Sequence, residues 1–350
     1  MEVDGRKGYT SHYRIQSDYL LRFSAVRSTK EIFVASKAFA KESRLLSWWH
    51  LFFALMLFAG TIAIGCSSLP WFIKLVSSVV SGLLIVRLFI MYHDYHHGAI
   101  LKNSLIARMV FSVYGWLSLS PSSVWRGSHE HHHRHNSKGT GLNPGSFPLM
   151  TTQEYRAATW TKRLAYVVSR HWLTMLLGYL TVFFYGMCMR PFLMSPKRHW
   201  DAGLACLLHV GLVGVCAWYG WEYAIFLMVI PLSVACGTGS YLFYAQHNFP
   251  SCRLYHREEW SHARAAMSSS SFIKMNGLMH WFTGNVGFHH IHHLNAKIPF
   301  YRLPEAMENM PELRSPGTTS LHPADVWSCL RLNLWDPSKQ RLVSFREAGI

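Results

Sequence analysis

Gly284-Asn285-Val286-Gly287-Phe288-His289-His290-Ile291-His292-His293-Leu294-Asn295 sets four imidazoles in five consecutive positions, and two clusters upstream answer it. They are His93-Asp94-Tyr95-His96-His97 and His129-Glu130-His131-His132-His133-Arg134-His135. Twelve of the chain's 22 histidines lie in these three boxes, a concentration that metal binding explains and scattered structural histidines do not. Positions i, i+3 and i+4 of a helix share a face, so His289, His292 and His293 are expected to converge on a point, and likewise His129, His132 and His133. His93 and His97, at i and i+4, form the pair of the first box, while His290 points elsewhere. Eight neutral imidazoles exceed the about four to six ligands of one transition metal. Two metals are therefore expected.

Outward from the boxes, the chain is 350 residues long and half hydrophobic, with its apolar residues bunched into runs, which indicates a membrane protein. Its net charge of +16 comes mostly from residues flanking those runs, as lipid headgroups and the positive-inside rule require, and not from a nucleic-acid surface. Seven cysteines show no CxxC and no disulfide framework. Residues 1–45 carry no secretory signal pattern and are expected to stay cytoplasmic. Within them Glu31 to Leu46 is either an amphipathic helix on the membrane surface or a plain solvated one.

Four spans are expected, at about 46–66, 71–92, 202–220 and 223–244, each long enough for a hydrocarbon core of about 30 Å. The uncharged link Ser67-Ser68-Leu69-Pro70 and the aromatic turn Trp218 to Tyr223 suit the far side of the membrane, which leaves all three boxes and both chain ends on the cytoplasmic side. Lys74 and Arg87 are expected to snorkel to the two interfaces. Leu105 to Leu119 is too short to cross and suits an interfacial or re-entrant helix. His171 to Met189 is bracketed by basic residues and suits a helix or hairpin lying in the cytoplasmic interface. The second box is expected in a polar loop ending at Asn143-Pro144-Gly145, and the stretch from Ser271 to Phe282 as a helix leading to the third. His247, at the end of the last span, is a further candidate ligand; His280 is a weaker one. Asp94 suits either a hydrogen-bond acceptor that fixes an imidazole tautomer or an ordinary cap or ion pair. His209 suits a packed or tunnel-lining side chain. Whether His96, His131, His135, His280 or His290 joins the site stays open.

Two other classes compete. His129-Glu130-His131-His132-His133 also satisfies HExxH, the metalloprotease pattern in which the glutamate is the base, but a protease leaves the boxes at His93 and His289 unexplained. A metal transporter needs polar ligands midway along its spans, and these offer little beyond His209.

The order HxxxH, HxxHH, HxxHH, with Trp125-Arg126 before the second box and Ile298-Pro299 and Tyr301-Arg302-Leu303 after the third, resembles the membrane fatty acid desaturases, over roughly Leu46 to Glu305. The resemblance implies an all-α integral membrane protein in which four transmembrane helices, with interfacial helices, carry a cytoplasmic helical cap holding a di-metal site. It implies residues 1–45 as an N-terminal segment, 46–305 as the desaturase domain and 306–350 as a cytoplasmic tail, in a multi-pass protein of a bacterial inner membrane. It implies two iron ions held by His93, His97, His129, His132, His133, His247, His289, His292 and His293, with O2 as co-substrate. The expected reaction is desaturation of a lipid-, CoA- or carrier-linked acyl chain with electrons from a ferredoxin- or cytochrome b5-type donor. Hydroxylation or ketolation of a lipid, carotenoid or alkane is the nearest alternative. Neutral imidazoles leave such irons more positive than carboxylates would, which favours a strong oxidant. His96 stands where a glycine is common in the family, and His280 where a glutamine is common.

Overall fold

A computed structural model describes residues 27–137, 147–256 and 258–350. The helices that build the site and its support are, in chain order, α1 (Thr29–Ser36), α2 (Arg44–Cys66), α3 (Trp71–His97), α4 (Leu105–Leu117), α5 (Ser122–His135), α6 (Trp160–Arg170), α7 (Trp200–Tyr219), α8 (Trp221–Ala245) and α9 (His289–Leu294). Four of them, α2, α3, α7 and α8, are long and apolar enough to cross a membrane. The protein is a mainly helical membrane protein.

The four spans are not equivalent. Over their most apolar stretches α2 and α7 are only 17% buried within the protein, whereas α3 is 56% buried; α2 and α8 pack against α3, and α7 lies against α4 and the start of α8. Gly82 brings α3 against α8: a Cβ there would sit 2.6 Å from the Pro231 carbonyl. Pro231 follows a π-helical stretch, Ile225–Val229, which absorbs the loss of a backbone donor inside a long helix. At 27 residues and about 1.5 Å each, α3 runs roughly 40 Å, and its last turns outreach a hydrocarbon core of about 30 Å. Those turns carry the first box, and Gly98, at φ 64°, caps them.

The run from His171 to Met189 forms no continuous spanning helix. It breaks into Trp172–Leu176 and a π-helical stretch, Tyr179–Met189, packed beside α7 and α8. Leu105 to Leu117 is a separate apolar helix, too short to span.

Several local expectations need correction. Arg87 does not snorkel; it is 2% exposed, donates to the Trp281 carbonyl and lies 4.0 Å from the Trp281 ring centroid. Lys74, by contrast, reaches toward the turn it was expected to approach, meeting Glu222 at 3.7 Å. The second box lies on α5, not in a loop: the Asp201 carboxylate accepts the Ser123 N–H at its start, and Glu130 links Arg126 and Arg134 along its outer face. Asn143-Pro144-Gly145 lies outside the described residues, as does most of the segment 1–45.

From Ser271 to Phe282 the chain is not one helix. Phe272–Lys274 is a strand, β1, paired in parallel with β2 (Thr318–Ser320), and a helix begins only at Gly277, where Asn276 accepts the Met279 N–H as its N-cap. Within Glu31 to Leu46, α1 ends at Ser36 and leaves Phe33 and Val34 exposed. Its Ile32, with Phe39 beyond it, packs against Ile291, Leu294 and Ile298 around the third box. The residues after Asn309 are folded as well, since Cys329, Leu332, Trp335 and Leu342 share a core with Leu242, Ala245 and Phe249 at the end of α8.

Candidate metal centre

Each box arrives on a helix end. His93 and His97 lie on the last turns of α3, His129, His132 and His133 on α5, and His289, His292 and His293 on α9; His247 follows the end of α8. The approach to α9 is fixed by Gly284, at φ 50°, where a Cβ would stand 2.9 Å from Ile90 of α3. The third box is thereby held against the first.

All nine candidate imidazoles come together, in two groups whose ligand atoms lie within 4.8 Å of one another: His93, His97, His129, His133 and His292, and His132, His247, His289 and His293. The expected convergence of i, i+3 and i+4 on one point does not hold. On α5 the pair His129/His133 serves the first group and His132 the second; on α9 the pair His289/His293 serves the second and His292 the first. Residues i+3 and i+4 are about 100° apart around a helix axis, so a helix wedged between two centres feeds both.

Within the groups the rings meet through Nε2. His97 and His129 are 3.0 Å apart, His129 and His133 3.1 Å, His133 and His292 3.1 Å, His247 and His289 2.9 Å, His289 and His293 3.0 Å, and His132 and His293 3.1 Å. The opposite nitrogens of two rings are engaged: His93 Nδ1 donates to Asp94 Oδ1 at 3.0 Å and His247 Nδ1 to the Ser269 carbonyl at 2.9 Å. That tautomer turns the Nε2 lone pairs of His93 and His247 inward. Protonation offers no relief, because burial holds His129, His132, His133, His289, His292 and His293 well below the usual histidine range and pushes His247 down to about 4. Inward-facing lone pairs without protons fit a cation in each group. Neither group contains a carboxylate or thiol.

Support comes from outside the boxes. Asp94, 2% exposed, bridges His93 and, through Oδ2, the Phe300 N–H at 2.7 Å, tying the first box to the chain beyond the third. Its role as a tautomer-fixing acceptor follows from that geometry. Trp125 stacks on His129 with centroids 4.4 Å apart. Asn248, next to His247, donates to the Cys329 and Leu332 carbonyls at 2.7 and 3.0 Å and accepts from Arg170 at 2.6 Å. Arg170, Asp201 and Arg87 were not singled out as site residues in the sequence; a lone charge at the edge of an apolar run is the signal that marks each.

The other histidines lie apart. His290 pairs with the Leu313 carbonyl at 3.1 Å, His131 and His135 stack on the outer face of α5, and His280 lies beside Phe272 and Phe288. His209 is packed against Tyr179, whose hydroxyl it hydrogen-bonds, and does not line the cavity. Glu130 belongs to neither group and is engaged by Arg126 and Arg134.

An apolar cavity reaches His93, His129 and His289, so both groups border it. Ile85, Phe89 and Ile90 of α3, Cys236, Gly239 and Phe243 of α8, and Val182 and Phe183 line its length. The lining from Gln246, just past α8, back to Ala235 spans 11 residue steps, roughly 16 Å of depth below the histidines. Such a slot suits an extended hydrocarbon chain.

A family model described as fatty acid desaturase matches residues 69–322. The chain is 31% identical over 323 residues to a protein of Bacillus subtilis (strain 168) named fatty acid desaturase, covering 91% of this chain and 90% of that one. It is 25% identical to an sn-1 acyl-lipid omega-3 desaturase (ferredoxin) of Nostoc sp. (strain 36), over 66% of this chain and 65% of the other. With a protein of the same name from Synechocystis sp. it shares 23% identity, over 74% of this chain and 73% of the other.

Proposed function

Since the chain belongs to the fatty acid desaturase family, and is therefore an oxidoreductase, we propose that it uses two irons and O2 to desaturate an acyl chain carried by a lipid, CoA or a carrier protein. The observation that supports this best is the pair of all-histidine groups bordering one apolar cavity. In the balanced reaction a –CH2–CH2– unit, O2, two electrons and two protons give –CH=CH– and two waters. Two bound irons would supply the one-electron steps that activate O2 against an unactivated C–H bond.

The chain's own residues do the rest. His93, His97, His129, His133 and His292 would hold one ion, and His132, His247, His289 and His293 the other. Asp94 and the Ser269 carbonyl keep protons on the Nδ1 atoms of His93 and His247, leaving Nε2 free to ligate. Ile90, Phe243 and Val286 confine one stretch of the acyl chain beneath the histidines and exclude water from it. We further place the histidine end and the chain termini in the cytoplasm, as the charge pattern of the links favours.

Expression in a host lacking the activity, with profiling of its fatty acids, tests the reading. New double bonds that vanish with His289→Ala support it; oxygenated products alone replace it with hydroxylation.

A further inference from the structure

The third box lies in a loop whose two ends meet on one helix. Trp281 and Phe300 bound that loop, and Asn285 closes its neck by donating to the Phe300 carbonyl at 3.1 Å. Three residues of α3, Arg87, Ile90 and Asp94, fall on one face at i, i+3 and i+7 and receive it. Ile90 meets Gly284, where a Cβ would stand 2.9 Å away, and Asp94 accepts the Phe300 N–H. Arg87 touches both ends. It donates to the Trp281 carbonyl, and its guanidinium lies over the Trp281 ring, 4.0 Å from the centroid, and over the Phe300 ring at 5.7 Å.

Arg87 is a costly residue to place in a membrane span. It is buried, forms no ion pair among the described residues, and leaves its Nε without a hydrogen-bond partner. Its Nη2 donates to His50 Nδ1 of α2 at 3.3 Å, but a neutral imidazole does not balance the charge. A cation kept inside a span without an acid costs stability that an apolar side chain of similar volume would not, so stability does not explain it. Satisfaction of the Trp281 carbonyl does not explain it either, because the Gly284 N–H donates to that oxygen at 3.2 Å. What Arg87 adds is a directional tie from α3 to the entry of the loop, matching the tie that Asp94 makes at its exit.

We propose that Arg87 is the latch of the third box: a positioning residue that fixes His289, His292 and His293 by pinning the neck of their loop to the helix of the first box. The inference rests on the desaturase reading where it concerns iron and product, and on the fold alone where it concerns the loop. His292 belongs to the open group and His289 and His293 to the enclosed one, so a loosened neck disturbs both groups. Ile90 and Val286, the latter two residues past Gly284, line the acyl cavity beside His289. The same latch therefore sets the wall against which the acyl chain lies.

The test uses the full chain with Arg87→Met and Arg87→Lys. Without metal, amide hydrogen exchange in residues 281–300 is expected to be about tenfold faster or more in Arg87→Met, with α5 and the melting temperature unchanged. After iron loading, the same variant should lose about 10–100-fold in affinity at both groups, broaden both Mössbauer components and spread its products over more double-bond positions than the unaltered chain gives. Arg87→Lys keeps the charge but not the planar fork, and should fall between the two on every measure. Should Arg87→Met fail to fold, Trp281→Leu, which removes one ring and keeps the carbonyl, carries the same measurements. Unchanged exchange in residues 281–300 overturns the proposal. So does iron lost from one group only, or a fall in melting temperature with faster exchange along the whole chain. Two iron signals in the unaltered chain without any desaturated product would instead remove the desaturase reading, while exchange in the metal-free chain still decides the latch.

Discussion

The two histidine groups draw on the same two helices, α5 and α9, yet they differ in enclosure. The first has five imidazoles, two of them partly exposed, and a polar mouth beside it; the second has four, all buried. The difference follows from what each adds to the shared helices. The first takes its remaining ligands from the end of α3, where His97 and Gly98 are only partly buried. The second takes His247, which sits beneath Ser269 and beside an Asn248 pinned by Arg170 and by the Cys329 and Leu332 carbonyls. One group is placed for exchange with the outside and the other is sealed by the folded residues after Asn309.

The hardest blow to either side is removal of a ring from the groups themselves. His289→Ala and His292→Ala should each cost more than the about 10–100-fold typical of losing a partner outside the ligand set. They should also separate the groups: His289→Ala is expected to lower iron content chiefly at the enclosed group and His292→Ala at the open one, as read by metal analysis and Mössbauer spectra. Identical spectra for the two variants would break the division into two groups.

Asp94→Asn is the next largest effect. The amide cannot accept the His93 Nδ1 proton as a carboxylate does, and its NH2 would face the Phe300 N–H if the oxygen kept His93. A loss of about 10–100-fold in activity or iron affinity is expected, confined to the open group. Loss from both groups would mean that Asp94 braces the whole cap.

A chelator sharpens the comparison without any mutation. Once both groups are loaded with iron, the open one should release it to EDTA before the enclosed one, giving two kinetic phases of equal amplitude. In Arg170→Met the slow phase should accelerate, because Asn248 Oδ1 loses its donor, at about 1–3 kcal/mol for a buried acceptor left unpaired. A single phase in the unaltered protein would contradict the difference in burial.

The sequence made the membership of this site legible and its partition illegible. Eight of the nine rings that come together follow from spacing, because i, i+3 and i+4 on a helix must lie near one another whatever the tertiary fold, and His247 from its place at the end of a span. Which ring of an HxxHH box goes to which group depends on α5 and α9 being wedged between two centres, and that is a property of packing. The spans were legible from length and apolarity, since α3 and α8 differ from the expected bounds only at their ends. Strand β1 was not, because three residues, Phe272–Lys274, take their partner from Thr318–Ser320, far along the chain. Arg87 shows the same limit: a basic residue near a span end suits snorkelling by composition, and only the position of Trp281 and Phe300 turns it inward.

The smallest expected effect is the most discriminating for the chemistry. Glu130 lies within the second box and completes an HExxH pattern, yet its side chain is 44% exposed and engaged with Arg126 and Arg134. Exposed i,i+4 pairs contribute about 0.3–0.5 kcal/mol each, so Glu130→Gln should barely move thermal stability. Because the residue belongs to neither histidine group, iron content and product yield should equal those of the unaltered chain. A large loss of turnover with iron retained would mean that Glu130 moves protons for the open group, and the two groups would then differ in chemistry as well as in enclosure.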